Sequence, residues 1–96
     1  MAEKDITNAI LRYLKSVPRC FVWKTHGGMY GTAGIPDIIA CIDGMFVALE
    51  VKTPSGKLTK LQEITIRRIR DAKGKAFKVT SVGEVKTILE HLEDEL

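Results

Sequence analysis

Apolar positions at the start of the chain recur at helical spacing. Ile6, Ala9, Ile10, Tyr13, Leu14 and Val17 share one side, which predicts a helix over about residues 3–16. Pro18 ends it, because proline removes a backbone donor and clashes with the preceding turn. From Cys20 to Lys24 the pattern changes to aromatic and β-branched residues and predicts a first strand. Residues 26–34 then hold four glycines in nine positions, a composition that no core element uses and that fits a loop bringing backbone close to something else.

Pro36 opens the next segment. Residues 37–42 (Asp-Ile-Ile-Ala-Cys-Ile) predict a second strand, Asp43-Gly44 a two-residue hairpin turn, and residues 45–52 the returning strand. After a break at Thr53-Pro54-Ser55-Gly56, Thr59 with Gln62 three positions later has the form of a capping box, opening a helix that runs to Lys73 and stops at Gly74. Residues 76–80 predict a fourth strand. Ser81 with Glu84 is a second capping box, opening a helix that carries Val85, Ile88, Leu89 and Leu92 on one face. The order αβββαβα describes an α/β fold with a mixed sheet flanked by helices, in a single domain over residues 1–96.

Composition narrows the setting. With 45% hydrophobic and 28% charged residues the chain reads as a soluble globular protein. No apolar run approaches the roughly 18 residues that span a membrane, and the first residues lack the layout of a signal peptide, so a cytoplasmic protein is expected, with no membrane partner. Cys20 and Cys41 are spaced neither as metal ligands nor as a disulfide framework and are expected to be buried free thiols. Trp23 is expected in the core. Between Lys52 and Lys78 there are nine Lys/Arg against two acids, whereas residues 84–96 hold five acids and one lysine. A basic middle suits a phosphate backbone, although a solvated helix face is charged in the same way.

The hairpin places chemistry. If Asp43-Gly44 is the turn, Ile42 pairs with Met45, and counting outward sets Asp37 opposite Glu50, with Lys52 on the same face as Glu50. Two carboxylates directly opposed repel each other, and a hard divalent cation removes the conflict, since Mg²⁺ takes oxygen from one or two carboxylates plus phosphate and water. Such an ion polarises a phosphodiester and activates water, while Lys52 can orient that water or neutralise developing charge. Gly31 and Gly34, just before Asp37, would let backbone approach the phosphate. Glu-x-Lys alone also describes a solvated strand edge, and a one-residue slip would put the two acids on opposite faces.

These residues resemble the PD-(D/E)xK nuclease superfamily, as Pro36-Asp37 and Glu50-Val51-Lys52. Within it the chain is similar to a stand-alone VRR-Nuc domain, the virus-type replication-repair nuclease module. The likeness extends over Glu3, Lys24-Thr25-His26-Gly27-Gly28, Gly34-Ile35-Pro36-Asp37, Glu50-Val51-Lys52, Gly56-Lys57-Leu58-Thr59 and Gln62. It implies a restriction-endonuclease-like fold and a Mg²⁺- or Mn²⁺-dependent endodeoxyribonuclease with no organic cofactor. Asp37, Glu50 and the Val51 carbonyl would hold the metal, and Lys52 would be catalytic. Glu3 or Asp5 would add an acid from the first helix, directly, through water or to a second metal. Gln62 would lie near the site, or serve only its cap. Lys24, His26, Gly27, Gly28, Lys57, Lys60, Arg67 and Arg70 are candidate DNA contacts; Lys60, Arg67 and Arg70 fall near one helical face, and the alternative for His26, the commoner one for a glycine-flanked loop histidine, is an exposed residue without that role. The small size favours a homodimer acting on branched DNA such as a four-way (Holliday) junction, with RNA as substrate, general duplex nicking and a non-catalytic nucleic-acid-binding module as alternatives.

Overall fold

The computed structural model describes residues 1–25 and 33–95. Its elements follow the predicted order: α1 (Glu3–Lys15), β1 (Cys20–Lys24), β2 (Ile38–Ile42), β3 (Met45–Val51), α2 (Lys60–Asp71), β4 (Lys75–Val79) and α3 (Val82–Glu93). The strands form one sheet in the order β1-β2-β3-β4; β1/β2 and β2/β3 are antiparallel, and β3/β4 is parallel. The sheet is therefore mixed because two hairpin-type connections are followed by a crossover through α2.

Strand alternation divides the sheet into two faces. Ile38, Ala40, Ile42, Val47, Leu49, Val51 and Val79 face Ile6, Ile10 and Leu14 of α1 and Val85, Leu89 and Leu92 of α3, forming the main core. The opposite face is covered more thinly: Ile66 and Ile69 of α2, with Leu58, pack on Ile39, Ala48 and Ala76. Small residues at 48 and 76 let this helix lie close to the sheet. Among the described residues no helix is long and apolar enough to cross a membrane.

The turn chemistry sets the register. Asp43 (φ 50°) and Gly44 (φ 83°) both adopt positive φ, as a two-residue hairpin turn matched to strand twist requires. An Arg19–Asp43 ion pair and the Asp43 N–H to Arg19 carbonyl bond (3.0 Å) fasten this turn to the start of β1. The observed pairs Ile42↔Met45 through Ile38↔Leu49 are those counted from the turn.

The helix ends partly differ from expectation. Thr59 and Gln62 form the capping box: the Gln62 N–H donates to Thr59 Oγ1 (3.2 Å) and the Thr59 N–H to Gln62 Oε1 (2.9 Å). At α3 the Glu84 N–H donates to Ser81 Oγ (3.1 Å), but the Glu84 carboxylate reaches past Ser81 and accepts from the N–H and hydroxyl of Thr80. These bonds hold the Glu84 carboxyl below its ordinary pKa. Helix α2 stops before Gly74, and the left-handed residue after it is Lys73 (φ 73°). Gly74 answers a different need, since a Cβ there would stand 2.7 Å from Ile69 Cγ2. Both cysteines are free, but the expectation of two buried thiols fails: Cys20 is half-buried and Cys41 exposed. Alternation places Cys41 on the face that α2 leaves partly open.

Gly34 (φ 83°) belongs to the packing of the domain. A Cβ there would lie 2.7 Å from Leu61 Cγ and 2.8 Å from Thr65 Oγ1 on α2. Gly34→Ala is thus expected to destabilise the protein by about 2 kcal/mol, from left-handed backbone strain plus the clash. A urea unfolding midpoint within error of the native value would contradict this role.

Candidate functional site

The site lies at the end of the β2–β3 hairpin farthest from its turn. Asp37 immediately precedes β2 and Glu50 is the penultimate residue of β3. Continuing the register sets them opposite, and their side chains meet on the face that carries α2. Asp37 is fixed from three sides. Its carbonyl accepts the Thr25 N–H (2.8 Å), Thr25 Oγ1 donates to the Pro36 carbonyl (2.7 Å), and its own Oδ2 accepts the Val51 N–H (2.9 Å). Thr25 is a positioning residue that sequence reading passed over, although it stands inside the Lys-Thr-His-Gly-Gly series.

Val51 explains how the strand end can present oxygen. The Lys52 N–H is used by the Val79 carbonyl of β4 (3.0 Å), so the polar backbone groups of Val51 point the other way, toward β2. There β2 has already ended, and the Asp37 carboxylate takes the Val51 N–H. The Val51 carbonyl shares that side, beside the two acids.

Glu50 is only 2% exposed. Burial, then a hydrogen bond and charge repulsion with Asp37, push its pKa up to about 8; Lys52 opposes this rise and Glu3 adds to it. At neutral pH without a cation, the Glu50 carboxyl is therefore mainly protonated and donates to Asp37. An arrangement that forces an acid to keep its proton fits the predicted demand for positive charge between the two groups.

The remaining predicted residues divide by position. Lys52 is half-buried and close enough for its charge to act on Glu50. Glu3, exposed at the start of α1, acts on Glu50 through its charge, whereas the Asp5 carboxylate accepts the Ala2 N–H (3.2 Å) and serves the helix start. Among the described residues no three His, Cys, Asp or Glu side chains converge into a complete cage. Gln62 spends its carbonyl oxygen on the α2 cap. Lys24, at the site end of β1, and Lys57 and Lys60, at the approach to α2, are exposed. Lys60 precedes Leu61, which packs against Gly34, so this end of α2 lies on the side of Asp37. Arg67 is exposed on the same helix. Arg70, near its far end, donates to the Ala76 carbonyl (2.9 Å) and covers the Phe77 ring, so its guanidinium has a structural use. His26, Gly27, Gly28 and Gly31 lie outside the described residues.

Trp23 corrects an expectation. It is exposed rather than core, with its ring 5.6 Å from that of the exposed Phe21. The period-two alternation of Phe21 and Trp23 with Cys20 and Val22 could have indicated an uncovered aromatic face, since α2 covers only the other half of the sheet.

A scan against protein-family models finds no match for this chain, and a search of curated proteins finds none. Several solved structures are similar, and two of them show how far the likeness extends. One, described as a VRR_NUC domain, superposes with a TM-score of 0.77 at 23% identity, over 93% of this chain and 95% of that one. The other, a VRR_NUC domain protein, gives a TM-score of 0.76 at 17% identity, over 94% of this chain and 86% of that one. At such identities the likeness lies in the fold, and it spans nearly all of both molecules. The chain has the restriction-endonuclease-like fold of the VRR-Nuc domain.

Proposed function

We propose that the protein is a metal-dependent endonuclease that hydrolyses DNA phosphodiester bonds, acting as a homodimer on branched DNA such as a four-way junction. The observation that carries this reading is the buried Glu50 carboxyl held against Asp37 at an open strand end, with Lys52 beside it. The likeness to VRR-Nuc structures supports it, and the basic segment from Lys52 to Lys78 suits a polyanionic substrate.

The donor set fits a hard divalent cation. Two carboxylates and a strand-end carbonyl are oxygen donors, and Mg²⁺ sites use one or two carboxylates with substrate and water in the remaining positions. Asp37, Glu50 and the Val51 carbonyl would hold Mg²⁺ or Mn²⁺, with the Glu3 charge nearby. When bound, the ion supplies Lewis acidity toward the phosphodiester and lowers the pKa of water. The protein's own contributions are positional and electrostatic. The Val51 N–H holds Asp37 in place, burial keeps the Glu50 carboxyl away from bulk water, and the Lys52 ammonium balances negative charge that grows on the phosphate. Lys24, Lys57 and Lys60 are available at the same end of the molecule to contact backbone phosphates. One acid pair per copy cuts one strand, so paired cuts in a junction call for two copies.

The test is cleavage of a labelled four-way junction beside linear duplex of the same sequence, with Mg²⁺ or Mn²⁺. Paired symmetric cuts in the junction alone are expected. Cutting of both substrates would remove the junction preference, and no metal-dependent cutting of either would overturn the nuclease assignment. Lys52→Ala is expected to slow cleavage by roughly 100-fold or more, while Mn²⁺ binding measured by calorimetry persists. Unchanged cleavage would remove Lys52 from the chemistry.

A further inference from the structure

The face of the sheet that carries the acid pair also carries two exposed aromatic rings. Trp23 pairs with Ile39, two residues beyond Asp37, and the Thr25 N–H donates to the Asp37 carbonyl. Strand alternation therefore sets Trp23 and Phe21 on the same face as Asp37 and Glu50. Trp23 is the diagonal cross-strand neighbour of Asp37, a separation of about 7–8 Å that lies within reach of an aromatic side chain. Phe21 follows one pleat farther from the acids. The Trp23 ring is 44% exposed and that of Phe21 70%, with centroids 5.6 Å apart and planes tilted by 46°, so both present ring surface to solvent. Apolar residues exposed singly are ordinary, but two adjacent rings leading to an acid pair are not scattered.

A trough continues from the rings. Phe21, Cys41 and Phe46 are cross-strand neighbours on β1, β2 and β3. Cys41, the small middle member, forms the floor, and the two phenylalanines stand two strand spacings, about 10 Å, apart. Beside Phe46 an open groove of about 550 Å³ runs along α2, lined also by Ile35, Arg68 and Lys73. Both cations are exposed and, among the described residues, neither forms an ion pair. Lys24, exposed next to Trp23, adds charge at the site end of β1. Rings set beside a basic groove are the composition that holds a single strand of nucleic acid, in which bases stack on the rings and cations follow the phosphates. The width agrees, since a trough of about 10 Å takes a single strand and is too narrow for a duplex, whose major groove alone is about 12 Å across. An apolar protein surface docked here would draw nothing from Arg68 and Lys73.

We propose that Phe21 and Trp23 form a base-stacking subsite, which takes unpaired bases of the DNA strand next to the phosphate held at Asp37 and Glu50, with that strand's phosphates directed toward Arg68 and Lys73. The position of the cut rests on the nuclease reading given above, which the subsite deepens by naming the form of substrate. That form is a strand whose bases have left the duplex beside the cleaved bond, as happens where strands change partner at a branch. Every base has a face that can stack, so the subsite selects structure and not sequence.

Trp23 is the one tryptophan of the chain, so its emission reports the subsite directly. The experiment titrates the native protein, with a chelator present so that nothing is cut, with oligothymidylate of about ten nucleotides and with an abasic oligomer of the same length and charge. The thymidylate is expected to quench Trp23 and to bind at least about 10-fold more tightly than the abasic strand. Phe21→Leu keeps an apolar side chain without a ring and should lose roughly 10-fold in affinity for thymidylate and none for the abasic oligomer, whereas Phe21→Trp should bind thymidylate as the native protein does. Phe21 is exposed enough for both variants to fold, which circular dichroism checks. Equal affinity for the two oligomers, unquenched Trp23, or native affinity for thymidylate in Phe21→Leu would each overturn the proposal. So would a Trp23 emission that shifts with protein concentration alone, since another copy would then cover the rings. Cleavage with Mn²⁺ scores the nuclease reading separately. Quenching by thymidylate in a chain that cuts no DNA would keep the stacking surface and sink the nuclease, and metal-dependent cleavage without quenching would do the reverse.

Discussion

Glu50→Gln is expected to abolish metal-dependent cleavage, by about 1,000-fold or more, while binding to the same DNA stays intact or tightens. Glutamine keeps the size of the side chain and one oxygen but removes the charge that would hold a divalent cation. The ion's contribution to transition-state charge is worth several kcal/mol, and each 1.4 kcal/mol is about a tenfold change in rate. Binding survives because the substrate is a polyanion and the variant removes negative charge from the floor of the site. The paired variant is Asp37→Asn rather than Asp37→Ala. Asparagine still offers an oxygen to the Val51 N–H, which is bonded at 2.9 Å in the native protein. Alanine would leave that donor without its partner at a cost of about 1 kcal/mol or more, confusing loss of chemistry with loss of structure. Single-turnover cleavage with filter binding separates the two effects. Substantial cleavage by Glu50→Gln would remove the site from its proposed role, whereas parallel loss of binding and cleavage would indicate a damaged surface.

How far the site was legible in the sequence depended on its being local. The Asp43-Gly44 turn needs positive φ at both positions, and few dipeptides supply that, so the turn fixed the register and the register brought Asp37 to Glu50. The helix starts were legible for a similar reason, because Thr59 and Ser81 cap within three residues of themselves. What the sequence hid was relational. Trp23 and Cys41 looked like core because apolar strands usually are covered on both sides, yet coverage depends on the length and placement of α2. Gly74 looked like a helix stop, but Lys73 takes the left-handed conformation and the glycine makes room for Ile69. Gly34, expected to let backbone approach a phosphate, has a further role that no local pattern showed, since its missing side chain accommodates Leu61 and Thr65. No local pattern reports the distance between a loop and a helix that follows it by 26 residues or more, from Gly34 to Lys60.

The metal-free protein should lose stability as pH rises from about 4.5 to about 8, through Glu50, and Glu50→Gln should remove that loss. The Glu50 carboxyl has a folded-state pKa of about 8 against 4.5 for an unperturbed glutamate. Between these values the folded chain keeps a proton that the unfolded chain releases, so the unfolding free energy falls with pH by up to about 1.4 kcal/mol per unit from this group. Below the lower value both states hold the proton, and above the upper value both have lost it, so the contribution is flat at either end. Across the window the loss is on the order of a few kcal/mol, a large share of what a chain this small possesses. Urea unfolding in the presence of a chelator at several pH values, native against Glu50→Gln, isolates the effect because the other titrating groups are common to both. The variant should be about as stable as the native protein near pH 4.5 and more stable near pH 8. Adding Mn²⁺ should restore the native protein at the alkaline end and do little for the variant, since a ligand that binds only the folded state stabilises it in proportion to its occupancy. Parallel curves for the two proteins would mean that Glu50 is already ionised at neutral pH beside Asp37. The buried pair would then not carry the electrostatic tension on which the metal-site assignment rests.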